Sequence, residues 1–547
     1  MQGMMMDVPL LTSMIVKHAV AWHGDVEVVT HRVEGDMHRY TYADAYNRMC
    51  KLANALKRLG IQQGDRVGTM AWTTYRHFEL YFAIGGSGAV VHTVNPRLFH
   101  DQIEYIINHA KDRVMFLDTT WVEMMEGLQD MCPTIEKFII LCDSGSMPET
   151  TLRNAVCYED LLAAEDDVFD WPTFDEKSAA ALCYTSGTTG NPKGVLYTHR
   201  AMVLHSMAAC TGDHPLGLDS RTIVLPAVSM FHVHAWGAPY AAPMCGAKLV
   251  FPGPHMHGDN IYRLLEEEKV TLTAGVPTIW LDMLQHMKKT GGRLNYLKVM
   301  NIGGSAPPLS MIKAFEEDLG VPVVHAWGMT ELSPVGTSGR LRLKHQDLPR
   351  EERYRIKQTQ GRPIFGIEIK IVDDEGNRLP HDGKAVGQMF VRGPWVVAAY
   401  FEDEAATEAA FDDEGWFGTG DVASISPDGL VSISDRSKDL IKSGGEWISS
   451  IDLENHALAH PDVVEAAAIA IKHPKWEERP LLVVVPKKGA EVSPDDIRKV
   501  LSEHVAKWWL PDDIVFVEEI PHTATGKISK KDLRTQFADY RWPDAAE

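Results

Sequence analysis

Apolar positions change their period repeatedly along this chain, and each change marks an element. Between 43 and 60, Tyr46, Met49, Leu52, Leu56 and Leu59 recur at helical spacing and share one face. Thr41 or Asp44 stands near the start of that helix, and Gly60 follows as its stop. Runs at 66–72 and 89–94 predict strands, 100–111 a helix and 113–117 another strand. Ala179, Ala180, Ala181, Leu182 and Cys183 form a short apolar run that reads as a buried strand. Strands at 222–225, 248–251, 271–274, 299–302 and 321–325 follow, with a helix at 259–268. Strands alternating with helices predict α/β architecture with largely parallel sheets, whose ligands gather at the carboxyl ends of the strands.

The pattern breaks at 337–362, where Arg340, Arg342, Lys344, Arg350, Arg353, Arg355 and Lys357 crowd together. That segment is expected to be a solvated loop. Strands at 367–372, 388–391 and 431–433, separated by turns such as Pro427-Asp428-Gly429, predict a β-rich subdomain. Beyond Asp435 come strands at 463–471, 481–485 and 514–517 and helices at 450–458 and 494–508, the latter opened by Ser493 and Pro494. The expected organisation is a large region at 1–434, made of two α/β subdomains and the β-rich one. A polar hinge at 435–440 and a small mobile α+β domain at 441–547 complete it.

A chain of 547 residues exceeds one ordinary core. The net charge of −21 argues against a nucleic-acid surface, so any positive charge that meets an anionic ligand must be local. The seven cysteines include no C-x-x-C pair, which fits a reducing cytoplasm rather than a disulfide framework or zinc site. The amino terminus has no basic run followed by an apolar one, and the most apolar stretch, 235–247, is interrupted and too short to span a bilayer. A cytoplasmic location is expected.

Candidate chemistry starts where the 179–183 strand ends. Tyr184-Thr185-Ser186-Gly187-Thr188-Thr189-Gly190-Asn191-Pro192-Lys193-Gly194 carries hydroxyls, glycines and one lysine. Glycines let a backbone approach an anion closely, and successive N–H groups with a lysine make a phosphate nest. It is not a Walker A loop, because Lys193 is followed by glycine. Three further stretches stand downstream: Trp327-Gly328-Met329-Thr330-Glu331, Gly418-Thr419-Gly420-Asp421, and Pro521-His522-Thr523-Ala524-Thr525-Gly526-Lys527. His232-x-His234 and His255-x-His257 bring no third ligand at motif spacing and are not expected to bind metal.

In this order and over the whole length, these stretches resemble the adenylate-forming superfamily, and its acyl-CoA synthetase branch most closely. Asn95-Pro96-Arg97-Leu98 and Met230-Phe231-His232-Val233-His234-Ala235-Trp236 resemble the fatty-acid and medium-chain members of that branch, and the overall likeness, rather than any single residue, suggests its 3-methylmercaptopropionate members. The resemblance implies an ATP-dependent acyl-CoA ligase working through an acyl-adenylate, with ATP, Mg²⁺, coenzyme A and a small carboxylic acid as its ligands. It also implies a homodimer, since dimers are common among related synthetases.

By the same resemblance, Thr185, Ser186, Gly187, Thr188, Thr189, Gly190 and Lys193 hold phosphates. Gly303, Gly304, Ser305, Ala306, His325, Ala326, Trp327, Gly328 and Met329 surround the nucleotide, Thr330 meets the α-phosphate, and Asp421 with Arg436 takes the ribose. Thr185 and Glu331 are the metal contacts. Lys527 is the adenylation lysine, with Thr330, Glu331 and His232 beside it as catalytic residues. His232, Trp236, Gly303, Pro334, Val335 and Gly336 line the acid pocket, Lys438 is the hinge, and Lys442, Gly444 and Gly445 face coenzyme A. A long-chain fatty acid as substrate, loading of a carrier protein, a non-catalytic nucleotide-binding scaffold and a luciferase-like oxygenase are the rival readings.

Overall fold

The structure is a computed structural model of the chain and describes every residue except 2, 186–190, 444–445, 474, 524–527 and 543–547. Among those residues, the alternation closes into two seven-stranded sheets. In the first, neighbouring strands run Val156–Cys157, Lys137–Leu141, Val114–Asp118, Arg66–Met70, Val90–Thr93, Ala179–Tyr184 and Gly194–Thr198, and only the last pairing is antiparallel. In the second they run Val323–His325, Val299–Ile302, Leu272–Gly275, Ile223–Ala227, Lys248–Phe251, Glu27–His31 and Met37–Thr41, again with an antiparallel last pairing. The chain therefore begins in its second sheet, builds the first, and then returns.

Burial explains why these strands carry no alternation. Val90–Thr93 and Val114–Asp118 are buried at every position, as parallel strands covered on both faces must be. The helix Tyr42–Arg58 buries Met49, Leu52 and Leu56. Its start uses both residues singled out there: Thr41 accepts from the Asp44 N–H, and the Asp44 side chain returns a bond to the Thr41 backbone. The helix Tyr75–Gly86 is buried all round and forms the centre of the main core.

That burial makes acid stability a property of histidines. His77 lies between the Thr69 hydroxyl at 3.0 Å and the Trp72 carbonyl at 3.1 Å, and burial pushes its pKa down to about 4. The unfolded chain binds this proton below pH 6.5 while the folded chain refuses it down to pH 4, so the stabilisation is complete above 6.5 and fades as pH falls through that window. Lowering the pH from 7 to 5 should cost about 2 kcal/mol at this one site. Calorimetric melting of wild type and His77→Asn at both pH values checks it: the variant should lose less stability on acidification.

Two expectations need correction. The basic segment 337–362 is not a loop throughout, because Arg350–Gln358 is a helix. Tyr354 buries itself beneath the second sheet, and Lys357, one turn on, binds Glu316 and donates to the Val323 carbonyl at 3.0 Å. The charge-rich outer face hid this single inward stripe. The helix expected at 494–508 ends at Ser502, and Lys507–Trp509 is a separate short 3₁₀ turn.

A four-stranded antiparallel sheet follows: Glu368–Val372, Val386–Arg392, Phe417–Ile425 and Val431–Arg436. Five residues after Arg436 the last sheet begins at Ile441–Ser443 and includes Glu446–Ile448, Glu477–Pro486, Val463–His473 and Asp513–Phe516, with its own core around Leu453, Leu482 and Ile497. Asp435 binds across this junction, accepting from the Ser450 N–H at 2.7 Å, and the Ser449 hydroxyl donates to the Ser434 carbonyl at 2.6 Å. Among the described residues, no helix is long and apolar enough to cross a membrane.

Candidate active site

Both large sheets send loops from the carboxyl ends of their strands toward the residues singled out by sequence. From the first, Tyr184 leads into Thr185, whose N–H donates to the Lys193 carbonyl at 2.9 Å and closes the base of the phosphate loop. Ser186–Gly190 themselves lie outside the described residues. From the second, Ile302 leads to Gly303 and His325 leads to Ala326 and Trp327.

Trp327 is buried, and its indole Nε1 donates to Asp421 Oδ2 at 2.9 Å. Asp421 sits opposite Arg436 in the antiparallel sheet, and the guanidinium Nε lies 2.8 Å from Asp421 Oδ1. The carboxylate is 2 % exposed, so both of its oxygens are engaged in a dry setting. Gly336 packs flat on the other part of this indole: a Cβ there would stand 2.5 Å from the Trp327 ring. Trp327, Asp421, Arg436 and Gly336 thus meet although they span 110 residues of chain.

Glu331 is the second centre. It is buried, and burial raises its pKa above the usual carboxylate value, opposed by the hydrogen bond from the Tyr400 hydroxyl at 2.8 Å. Among the described residues it makes no ion pair with a lysine or arginine. Lys193 reaches the same tyrosine, with Nζ 4.8 Å from the ring centroid. The Thr330 carbonyl accepts from the Tyr197 hydroxyl at 2.7 Å, which ties the strand after the phosphate loop to the Thr-Glu pair.

Of the residues expected to line the acid pocket, Trp236 and Gly303 meet directly. Val233, His234, Ala235 and Trp236 all have positive φ, from 46° to 57°, and Gly237 has 78°. A left-handed turn of non-glycine residues costs about 1–2 kcal/mol per residue, which the surrounding packing must offset. It lays the Trp236 ring on Gly303, where a Cβ would stand 3.0 Å from the indole and 2.8 Å from the Ala326 carbonyl. His234 is not presented to the pocket. It is enclosed by Tyr81, Tyr197 and Tyr240, and burial lowers its pKa to about 3. The His232 N–H donates to the Ser229 carbonyl at 3.0 Å, and its side chain is half-buried. The Val335 N–H approaches His205 Nε2 at 3.4 Å, and the Trp395 indole donates to the Val335 carbonyl at 3.3 Å.

The remaining candidates are dispersed. His325 is buried at a strand end, with its pKa lowered to about 4 by burial. Lys438 lies in the junction before the last sheet, where burial lowers its pKa. Lys442 stands over the Trp447 ring beside a cavity of about 540 Å³ with Lys472, His473, Glu477 and Glu478. Gly444, Gly445 and Lys527 lie outside the described residues. Sequence reading missed Tyr197, His205, Trp395 and Tyr400. Each is an aromatic that reads as core packing, although Trp395 directly follows the turn-like Arg392-Gly393-Pro394 and Tyr400 stands six residues past it.

Comparison with known proteins agrees with this arrangement. Residues 16–401 match the AMP-binding enzyme family and residues 452–527 its AMP-binding enzyme C-terminal domain. The 3-methylmercaptopropionyl-CoA ligase of Ruegeria lacuscaerulensis is 47% identical, covering 98% of this chain and 99% of that one. The medium-chain-fatty-acid–CoA ligase of Ectopseudomonas oleovorans is 45% identical, covering 98% of each. The fold matches the crystal structure of an anthranilate CoA ligase in complex with anthranoyl-AMP with a TM-score of 0.87 at 24% identity, over 98% of this chain and 99% of that one. The chain belongs to the AMP-binding enzyme family, within its acyl-CoA ligase branch.

Proposed function

We propose that this enzyme joins a small carboxylic acid to coenzyme A at the expense of ATP, releasing AMP and pyrophosphate. The observation that carries the reading is the buried Trp327–Asp421 bond, closed by the partly exposed Arg436, together with the buried Glu331 that Tyr400 links to Lys193 at the end of the phosphate loop. Trp327 and Gly336 offer a flat face for adenine, and Asp421 with Arg436 receives the ribose hydroxyls. Thr185 and Lys193 flank the β- and γ-phosphates, and Thr330 meets the α-phosphate. The acid carboxylate attacks the α-phosphorus and pyrophosphate leaves. Lys527 sets positive charge where that transition state is most negative. The thiol of coenzyme A then attacks the acyl carbon and AMP leaves.

Glu331 fits a Mg²⁺ ligand. Its carboxylate is buried and accepts a hydrogen bond from the neutral Tyr400 hydroxyl, Arg436 and Lys193 favour its charged form from a distance, and a carboxylate oxygen is the ligand a hard divalent cation takes. With Thr185 it would hold the ion, which supplies charge neutralisation for the phosphates when bound.

The division of the chain at 435–440 follows the same reading, with Lys438 as the hinge that alternately presents Lys527 and the face of Lys442, Gly444 and Gly445. We assign 3-methylmercaptopropionate or a short- to medium-chain fatty acid as substrate, on the relatives' substrates and on the Trp236 ring closing against Gly303. Assaying wild type and Trp236→Ala on acids from propionate to palmitate tests this. Wild type should prefer the short end, and the variant should move its best kcat/KM by at least two carbons toward longer acids. An unchanged preference would show that Trp236 does not bound the pocket.

A further inference from the structure

We infer that Tyr400 is a positioning residue for nucleotide activation, its hydroxyl setting Glu331 and its ring setting Lys193. The inference rests on the ligase reading, in which those two residues meet the metal and the phosphates. Tyr400 is 8 % exposed and packs edge to face against Phe417. Its N–H donates to the Thr407 hydroxyl at 2.9 Å. The ring is therefore held from its own side, independently of the groups it presents to the site.

Two different atoms of this one side chain then act on two different partners. The hydroxyl donates to Glu331 Oε1 at 2.8 Å, a bond to a charged acceptor that fixes one carboxylate oxygen and orients the other. The ring face lies beneath Lys193 Nζ at 4.8 Å, giving a long, flexible cation a preferred place. The backbone repeats both connections. The Val397 N–H donates to the Glu331 carbonyl at 2.7 Å, and the Phe401 N–H donates to the Gly194 carbonyl at 2.8 Å. Residues 397–401 thus clamp the phosphate loop's lysine strand to the carboxylate opposite. A residue present for packing alone would need neither the hydroxyl nor the alignment with Lys193.

The two atoms can be removed separately. ATP binding without acid, measured calorimetrically on the full chain in EDTA and then in Mg²⁺, reads them independently of turnover. Tyr400→Phe keeps the ring, so its affinity in EDTA should stay within about twofold of wild type, while the gain in affinity on adding Mg²⁺ falls about tenfold. Tyr400→Leu should in addition weaken binding in EDTA by about fivefold, as Lys193→Ala does, and the double variant should be no weaker than Lys193→Ala alone. Matching melting temperatures for Tyr400→Phe and wild type establish that the fold is intact. The assignment is overturned if Tyr400→Phe gains as much from Mg²⁺ as wild type, or if Phe and Leu weaken both conditions in parallel. Wild type that binds no ATP in either condition overturns the ligase reading itself.

Discussion

Replacing Lys527 with alanine should reduce acid-dependent pyrophosphate release by about 10²–10³-fold, the loss typical of one preorganised charge at a developing anion. The effect is confined to one half-reaction. Supplied with preformed acyl-adenylate and coenzyme A, the same variant should make thioester at a rate within a few-fold of wild type, because the proposed hinge motion presents the face of Lys442 instead of Lys527 for that step. A purely structural lysine would slow both steps together, so the two assays with one variant separate the roles. Lys527→Arg keeps the charge but spreads it over a planar fork, and it should recover only part of the first step.

Asp421→Ala is the second large effect. The substitution leaves the Trp327 Nε1 donor and the Arg436 guanidinium without their shared acceptor inside the protein, besides removing the proposed ribose contact. Arg436 can turn to water, the stranded Trp327 donor costs stability, and the lost ribose contact to a charged acceptor, worth about 1.5–3 kcal/mol, should raise KM for ATP up to about 100-fold. Asp421→Asn retains an oxygen toward Trp327 and forfeits the charge toward Arg436, and its KM should rise about tenfold. KM for the acid should stay within about threefold in both variants. Equal increases in both KM values would mean that Asp421 supports the fold of the cleft rather than the nucleotide.

The contrast between legible and illegible features follows from distance along the chain. The phosphate loop, the Trp327–Glu331 stretch and the 179–183 strand are local patterns, so their residue types declare themselves. The α/β class was legible for the same reason, since buried parallel strands leave unbroken apolar runs such as Val114–Asp118. Sheet order was not, because Glu27–His31 pairs with Lys248–Phe251 across more than two hundred residues, and no local period records that partner. The indole–carboxylate bond between Trp327 and Asp421 spans 94 residues and joins the end of the second large sheet to the four-stranded one. Tyr400 was invisible because a buried tyrosine is ordinarily packing, and only the positions of Glu331 and Lys193 reveal what it holds. The helix Arg350–Gln358 escaped notice because a single buried face of Tyr354 and Lys357 was outweighed by charges around it.

The central claim is that acid activation and coenzyme A acylation occur in succession at one cleft. It is tested most directly by AMP formation from ATP in the presence of 3-methylmercaptopropionate, or of a short- or medium-chain fatty acid, with and without coenzyme A. The account predicts AMP that depends on the acid, rises several-fold with coenzyme A and accompanies an equal amount of thioester. ATP binding without acid-dependent AMP from any of these acids would contradict it.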